Sequence, residues 1–113
     1  MVLSAVAATK VFAEAVGPLE EVFGQRVRLS IVACLVSATK LSFLDLKQEL
    51  ALTDGNLSSH LSSLERKDFI VLEKGFKGKK PYTEVSITEQ GQAAFERYVQ
   101  ALEEWVSVLG GNR

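Results

Sequence analysis

Three observations on this 113-residue chain predict a mostly helical α+β domain. Five stretches carry helix-period apolar patterns bounded by helix start and stop signals. Two stretches rich in β-branched and aromatic residues flank a Gly/Lys segment, as the arms of a hairpin do. Their order is four helices, two strands and a last helix, which appends the hairpin to helix pairs and makes no parallel sheet.

The first helix is expected from about Leu3 to Val16, rich in alanine and stopped by Gly17-Pro18. Pro18 suits the start of a short turn, PLEEVF, in which Glu20 and Glu21 match the positive end of a helix dipole. Gln25 to Ser37 is apolar at Val27, Ile31, Cys34 and Leu35, with Leu29, Val32 and Val36 beside them. Being hydrophobic nearly all round, it reads as the central helix of the core. Ser42 opens a third helix, FLDLKQEL, with Asp45 at the capping-box position. Ala51-Leu52 is the turn, and Thr53 is a good N-cap for a fourth helix reaching Lys67. Phe69 to Glu73 and Tyr82 to Ile87 read as strands, joined by a loop from Lys74 to Pro81 in which Gly75 and Gly78 permit a tight turn. Thr88 caps the final helix, which runs to about Leu109 before Gly110-Gly111.

The length suits one small domain over residues 1–113, and 47% apolar residues support a real core. No apolar run approaches the roughly 18 residues of a membrane span. The amino-terminal segment lacks a basic leader and is interrupted by Lys10 and Glu14, so it reads as a mature helix of a cytoplasmic protein. Cys34 is the single cysteine, which excludes an internal disulfide and, within an apolar helix, reads as a buried thiol. Net charge is −1, but its distribution is uneven. Arg66 to Lys80 holds six basic and two acidic residues, whereas Glu84 to Glu104 holds five acidic and one basic. Such a molecule has one end suited to a polyanion.

The fourth helix is the chemically informative one. Leu57, Leu61 and Leu64 fall on one side at about 100° per residue. Gly55, Ser59, Ser62, Ser63 and Arg66 fall on the other, with Asn56 and Ser58 on its flanks and His60 at the border. One face can dock on a core while the other stays small, polar and nearly free of acid. A polar helix followed by a basic hairpin is what a winged helix-turn-helix needs to bind double-stranded DNA. Asn56 can pair with adenine, and the serines can meet base edges or phosphates. Thr53 and Gly55 leave the helix start open to a phosphate, which Asp54 partly opposes. Arg66 and Lys67, with Lys74, Lys77, Lys79 and Lys80 on the hairpin, supply phosphate or minor-groove contacts. His60 is expected to be structural or to touch a phosphate, with a base contact as the alternative.

The final helix carries a second pattern. Phe95, Val99, Leu102, Val106 and Leu109 form an apolar seam, with Tyr98 and Trp105 alongside. A stripe of that length outruns what a small domain can cover, so a second copy is expected on it. The expected dimer interface joins helices 3–16 and 88–109 and includes Phe12 and Val16. The alternative is that the last helix packs back on the first helix of its own chain.

The segments RVRLSIVACL, SFLDLKQELALTDGNLSSHLSSLERKDFIVLEKGF and KPYTEVSITEQGQAAFERYV together resemble the small prokaryotic winged helix regulators related to the MarR and ArsR groups. The similarity is greatest to the short subfamily whose recognition helix opens TDGNLSxHL, and it spans about Leu19 to Leu102. It implies a homodimeric DNA-binding transcription regulator with first and last helices at the dimer interface. Two reading helices about one duplex turn apart in such a dimer predict a pseudo-palindromic operator, with a repressor the expected role although the sign is not readable from the sequence. The chain departs from many relatives at Ser59 and Ser63, where an arginine or lysine is common. Effectors of such regulators often lie between the dimer helices and the winged domain, where Phe12, Phe23, Tyr98 and Trp105 can line a pocket or simply form core. No effector is readable. One His and one Cys far apart do not match the metal-sensing pattern, and no cofactor is expected. No nucleophile motif, phosphate-binding glycine loop or CxxC points to an enzyme. The remaining alternative is a winged-helix module whose exposed face binds a protein.

Overall fold

The computed structural model describes residues 2–110, with side chains from Ser4 onward. The chain runs through α1 (Val2–Val16), α2 (Leu19–Phe23), α3 (Arg26–Ala38), β1 (Lys40–Ser42), α4 (Phe43–Glu49), α5 (Asp54–Arg66), β2 (Ile70–Lys77), β3 (Lys80–Ile87) and α6 (Glu89–Gly110). Gly111, half of the expected final stop, lies outside the described residues.

Capping residues set several boundaries where the sequence places them. The Ser42 hydroxyl accepts from the Asp45 amide at 3.0 Å, and the Thr53 hydroxyl accepts from the Asn56 amide at 3.1 Å. Each satisfies one of the amides that a helix start leaves without a partner. Thr88 does more. Its hydroxyl accepts from the Gly91 amide at 2.9 Å and donates to the Asp68 carbonyl at 2.7 Å. Gly91 itself backs onto Phe69, where an added Cβ would stand 2.2 Å from the carbonyl oxygen. The T-x-x-G start of α6 is therefore a joint against the corner between α5 and β2.

Three differences from the sequence reading have plain causes. The segment after Pro18 closes into a one-turn helix, α2. A third strand, β1, pairs Lys40, Leu41 and Ser42 with Ser86, Val85 and Glu84, giving the antiparallel order β1-β3-β2. Three residues are too few to show periodicity, so β1 exists only through its partner strand. The hairpin arms also run further than expected, down to Lys77 paired with Lys80, which shrinks the loop to Gly78-Lys79. Gly78 takes φ +64° there, as a two-residue hairpin turn favours, whereas Gly75 lies within β2 opposite Tyr82. Pro81 is tolerated in β3 because the pairing with β1 ends at Ser42–Glu84, leaving that part of the strand edge unpaired.

The core gathers Ile31, Val32 and Leu35 of α3 with Leu46 of α4, Leu57, Leu61 and Leu64 of α5, and Val85 of β3. Each of the leucines contributes about 1.5–3 kcal/mol by leaving water. Phe23 stacks on Phe69 with centroids 5.6 Å apart and meets Phe95 edge-on, which ties α2 and α6 to the base of the hairpin. Helices α1 and α6 extend beyond this core, so the molecule measures 60 × 24 × 22 Å.

Candidate nucleic-acid interface

Burial of Leu57, Leu61 and Leu64 turns the opposite face of α5 outward. Thr53, Gly55, Asn56, Ser58, Ser59, Ser62, Arg66 and Lys67 are exposed there, while His60 and Ser63 are half-buried at its edge. A Cβ added at Gly55 would meet nothing within 4 Å, so that point of the helix is open to an approaching surface. Asp54, expected to repel a phosphate, forms an ion pair with Lys47 of α4 at 2.8 Å. The pair offsets the acid at the helix start and joins the two helices of the helix-turn-helix.

The register of the hairpin sorts its lysines between two faces. Side chains alternate along a strand, so Lys74 and Phe76 share the face of Ile70, while Lys77 shares the other with Tyr82 and Lys80. Lys74 accordingly lines a cleft of about 380 Å³ with Ser58, Ser62 and Glu65 of α5. Lys77 and Lys80 line a different hollow, against the start of α4 at Phe43, Leu44 and Asp45. The Lys77 ammonium lies 4.8 Å from the Tyr82 ring centroid, a cation–π contact. Lys79 occupies the turn. Phe76, which no sequence pattern singled out, stands 74% exposed among these lysines.

Arg66 and Lys67 sit at the far end of α5, about 20 Å from its start. There the Arg66 guanidinium donates to Ser63 Oγ at 3.3 Å, and that hydroxyl donates to the Ser59 carbonyl at 3.3 Å. Arg28 of α3 joins them around a notch of about 380 Å³ that also touches Glu21 and Val22. Its Nε donates to His60 Nδ1 at 3.2 Å and its Nη1 to the Glu21 carbonyl at 3.2 Å. Burial of the ring, reinforced by the Arg28 charge, holds the His60 pKa below the ordinary 6.5. Two arginines in the first turn of α3, where the dipole favours acid, were the available signal that Arg28 serves something outside its own helix.

A helix-turn-helix with an exposed polar second helix and a basic antiparallel hairpin at its side is now described, and a winged helix DNA-binding domain model matches residues 27–106. The chain belongs to that family. This winged helix protein is 37% identical over 79 residues to an uncharacterized protein of Methanocaldococcus jannaschii, covering 70% of this chain and 86% of the relative. Its fold matches a transcriptional regulator homologue from Pyrococcus horikoshii OT3 with a TM-score of 0.78 and 29% identity, over 91% of this chain and 97% of the other. A mutant MarR from E. coli, crystallised in complex with operator DNA, shares the fold at a TM-score of 0.63 and 17% identity, over 94% of this chain and 74% of that one.

The terminal helices of the winged helix protein pack on each other within one chain. Phe12 stacks on Trp105 with centroids 4.6 Å apart and meets Tyr98 edge-on at 6.0 Å. Trp105 Nε1 donates to Thr9 Oγ1 at 3.0 Å, and Tyr98 Oη donates to Glu20 Oε1 at 3.2 Å. Val16 and Tyr98 are thereby buried by their own chain, and Phe23 is wholly inside the core. Phe95, Val99, Leu102 and Trp105 are half-buried. What stays open is an apolar set beyond them: Val6 and Val11 on α1, and Val106, Val108 and Leu109 on α6, each about half exposed. Between α1 and α6 lies a small apolar cavity of about 210 Å³.

Proposed function

We propose that the protein is a transcription regulator that binds a pseudo-palindromic operator as a homodimer and represses by occupying it. The observation that carries this reading is the exposed polar face of α5, capped by Thr53 and flanked on one side by Lys74 of the wing. In this reading α5 lies in the major groove. Thr53, Gly55, Asn56, Ser58, Ser59, Ser62 and Ser63 face base edges and adjoining phosphates. Arg66, Lys67, Lys74, Lys77, Lys79 and Lys80 neutralise the backbone or enter the minor groove.

Dimerisation uses the apolar residues that one chain leaves uncovered, Val6, Val11, Val106, Val108 and Leu109, continued by half-buried Phe12, Val99, Leu102 and Trp105. Val16 and Tyr98 support that surface from beneath. A two-fold dimer spaces its reading helices about one duplex turn apart, roughly 34 Å. The test is selection of duplexes from a random library at two salt concentrations, with the mass of the free protein measured in solution. A two-fold symmetric sequence, lost at the higher salt, with a dimeric mass, is the expected result. Absence of binding at low salt overturns the reading.

A further inference from the structure

We infer that Arg28 is a positioning residue, which holds His60 as a neutral imidazole with its proton on Nε2, ready to donate one hydrogen bond to the duplex. The inference rests on the proposed DNA reading and adds to it a residue outside the reading helix and the wing.

The argument starts from hydrogen-bond inventory. Arginine is always protonated and only donates, so the ring nitrogen it contacts must offer a lone pair. The Nε–H of Arg28 points at Nδ1 of His60 at 3.2 Å, and Nη1 is anchored on the Glu21 carbonyl. A neutral imidazole carries one proton, which is thereby placed on Nε2. Nε2 lies across the ring from Arg28 and has no hydrogen-bond partner among the described residues, yet no side-chain nitrogen there is both buried and unpartnered. The Nε2–H is therefore not sealed in the core, at a half-buried position on the edge of the exposed face of α5.

Arg28 from α3 is the charged group against this ring, and Glu21 from α2 with Arg66 and Lys67 from α5 line the notch on the other side of Arg28. Only the Arg28 charge bears on the ring, in the same direction as burial, against protonation. The donor thus stays neutral to lower pH than an ordinary imidazole would. An unlocked histidine would exchange tautomers and gain a positive charge on mild acidification, so its contact with DNA would change with pH. The acceptor is an electron-rich oxygen or nitrogen on the duplex, either a phosphate oxygen or a base acceptor such as guanine N7 or O6.

His60 is the only histidine, so its ring nitrogens give a single, unambiguous set of NMR signals. The experiment records the imidazole ¹⁵N–¹H correlations of the full chain from pH 5 to 8. It also measures affinity for the selected duplex and for a shuffled one, in wild type, Arg28→Met, His60→Gln and His60→Leu. The wild type should show the Nε2–H tautomer at pH 7, with affinity changing less on acidification than in Arg28→Met. Arg28→Met should mix the tautomers, raise the midpoint toward 6.5, and make affinity rise about threefold to tenfold on acidification. Glutamine places an amide N–H near the position of Nε2, so His60→Gln should stay within about threefold of wild type, whereas His60→Leu should lose about tenfold. Equal loss on both duplexes identifies a phosphate acceptor, and loss confined to the selected one identifies a base.

An Nδ1–H tautomer in the wild type, or unchanged affinity in His60→Leu, overturns the inference. If the wild type binds no duplex while the Nε2–H tautomer is seen, the DNA reading fails and the donor role goes with it.

Discussion

Two glycine-to-alanine substitutions should move stability in opposite directions, and the difference is fixed by a single contact. At Gly91 an added Cβ would stand 2.2 Å from the Phe69 carbonyl oxygen and 2.9 Å from its carbon, against an ordinary contact of 3.4–4 Å. Relief needs a shift of about 1 Å in backbone that also carries the Thr88 bond to Asp68. Overpacking of this kind costs roughly 1–3 kcal/mol, and weakening the joint adds about 1 kcal/mol for its hydrogen bond. Alanine's better helix propensity returns under 1 kcal/mol. The net loss for Gly91→Ala is about 1–3 kcal/mol. Gly55 lies in the first turn of α5 with open space around its Cβ position, so Gly55→Ala should stabilise by a few tenths up to about 1 kcal/mol. Urea titration of both variants and wild type, read by far-UV circular dichroism, gives the midpoints directly. A Gly91→Ala midpoint equal to wild type would refute the close approach of α6 to the corner before β2. The same Gly55→Ala variant should bind DNA more weakly, since its methyl group projects from the face proposed to dock.

Alanine at Lys77, Lys79 and Lys80 together should keep the chain folded, at a cost of about 0.5–1 kcal/mol for the lost Lys77–Tyr82 contact, and lower the slope of log affinity against log salt by about 0.9 for each lysine that meets a phosphate, measured by fluorescence anisotropy. Val106→Glu with Leu109→Glu should convert a dimer to a monomer in sedimentation equilibrium without unfolding the chain, because both side chains are about half exposed in the single subunit. Ala51 takes φ +52° in the turn before α5, so Ala51→Gly should raise stability by about 0.5–1 kcal/mol in the same urea assay. Folding depresses the His60 pKa, so below 6.5 the unfolded chain binds more protons. Stability should then be full above 6.5, fall as the pH drops through the lowered folded value, and lose that component in His60→Gln, as thermal melts from pH 5 to 8 will read.

What the sequence made legible was what is local. The caps at Ser42, Thr53 and Thr88 are side chains bonding amides three residues on, so residue type and spacing suffice to find them. The leucine stripe of α5 is likewise a property of one helix, and all three leucines are buried. Features that depend on a distant partner were not legible. β1 owes its existence to β3, some 44 residues on. The contact from Arg28 to His60 spans 32 residues, and the Lys47–Asp54 pair crosses the turn between two helices. The wing misled for a different reason. Gly and Lys are loop-like in composition, but a two-stranded ribbon needs only its backbone paired, and its exposed faces accept lysine freely. The aromatic residues of the terminal helices illustrate the same limit. Periodicity marks Tyr98 as apolar-facing, yet only the fold shows its ring meeting Phe12 and Phe23 of its own chain.

The joint at Thr88 and Gly91 connects two parts of the molecule that the sequence presents as separate patterns. The start of α6 bonds the backbone immediately after α5: Thr88 to the Asp68 carbonyl, and Gln90 Nε2 to the Lys67 carbonyl at 3.3 Å. Asp68 holds φ +62° there, and the Phe69 amide bonds back to Leu64 of α5 at 3.1 Å. Three consecutive residues between α5 and β2 are thus held by the start of the helix that carries the exposed apolar set. In a dimer built on that set, the angle between the two α6 helices fixes the angle between the two α5 helices, with no flexible linker between. Half-site spacing then becomes a property of the α6 interface as much as of the reading helix. A loosened joint would lower affinity for a paired operator more than for an isolated half-site.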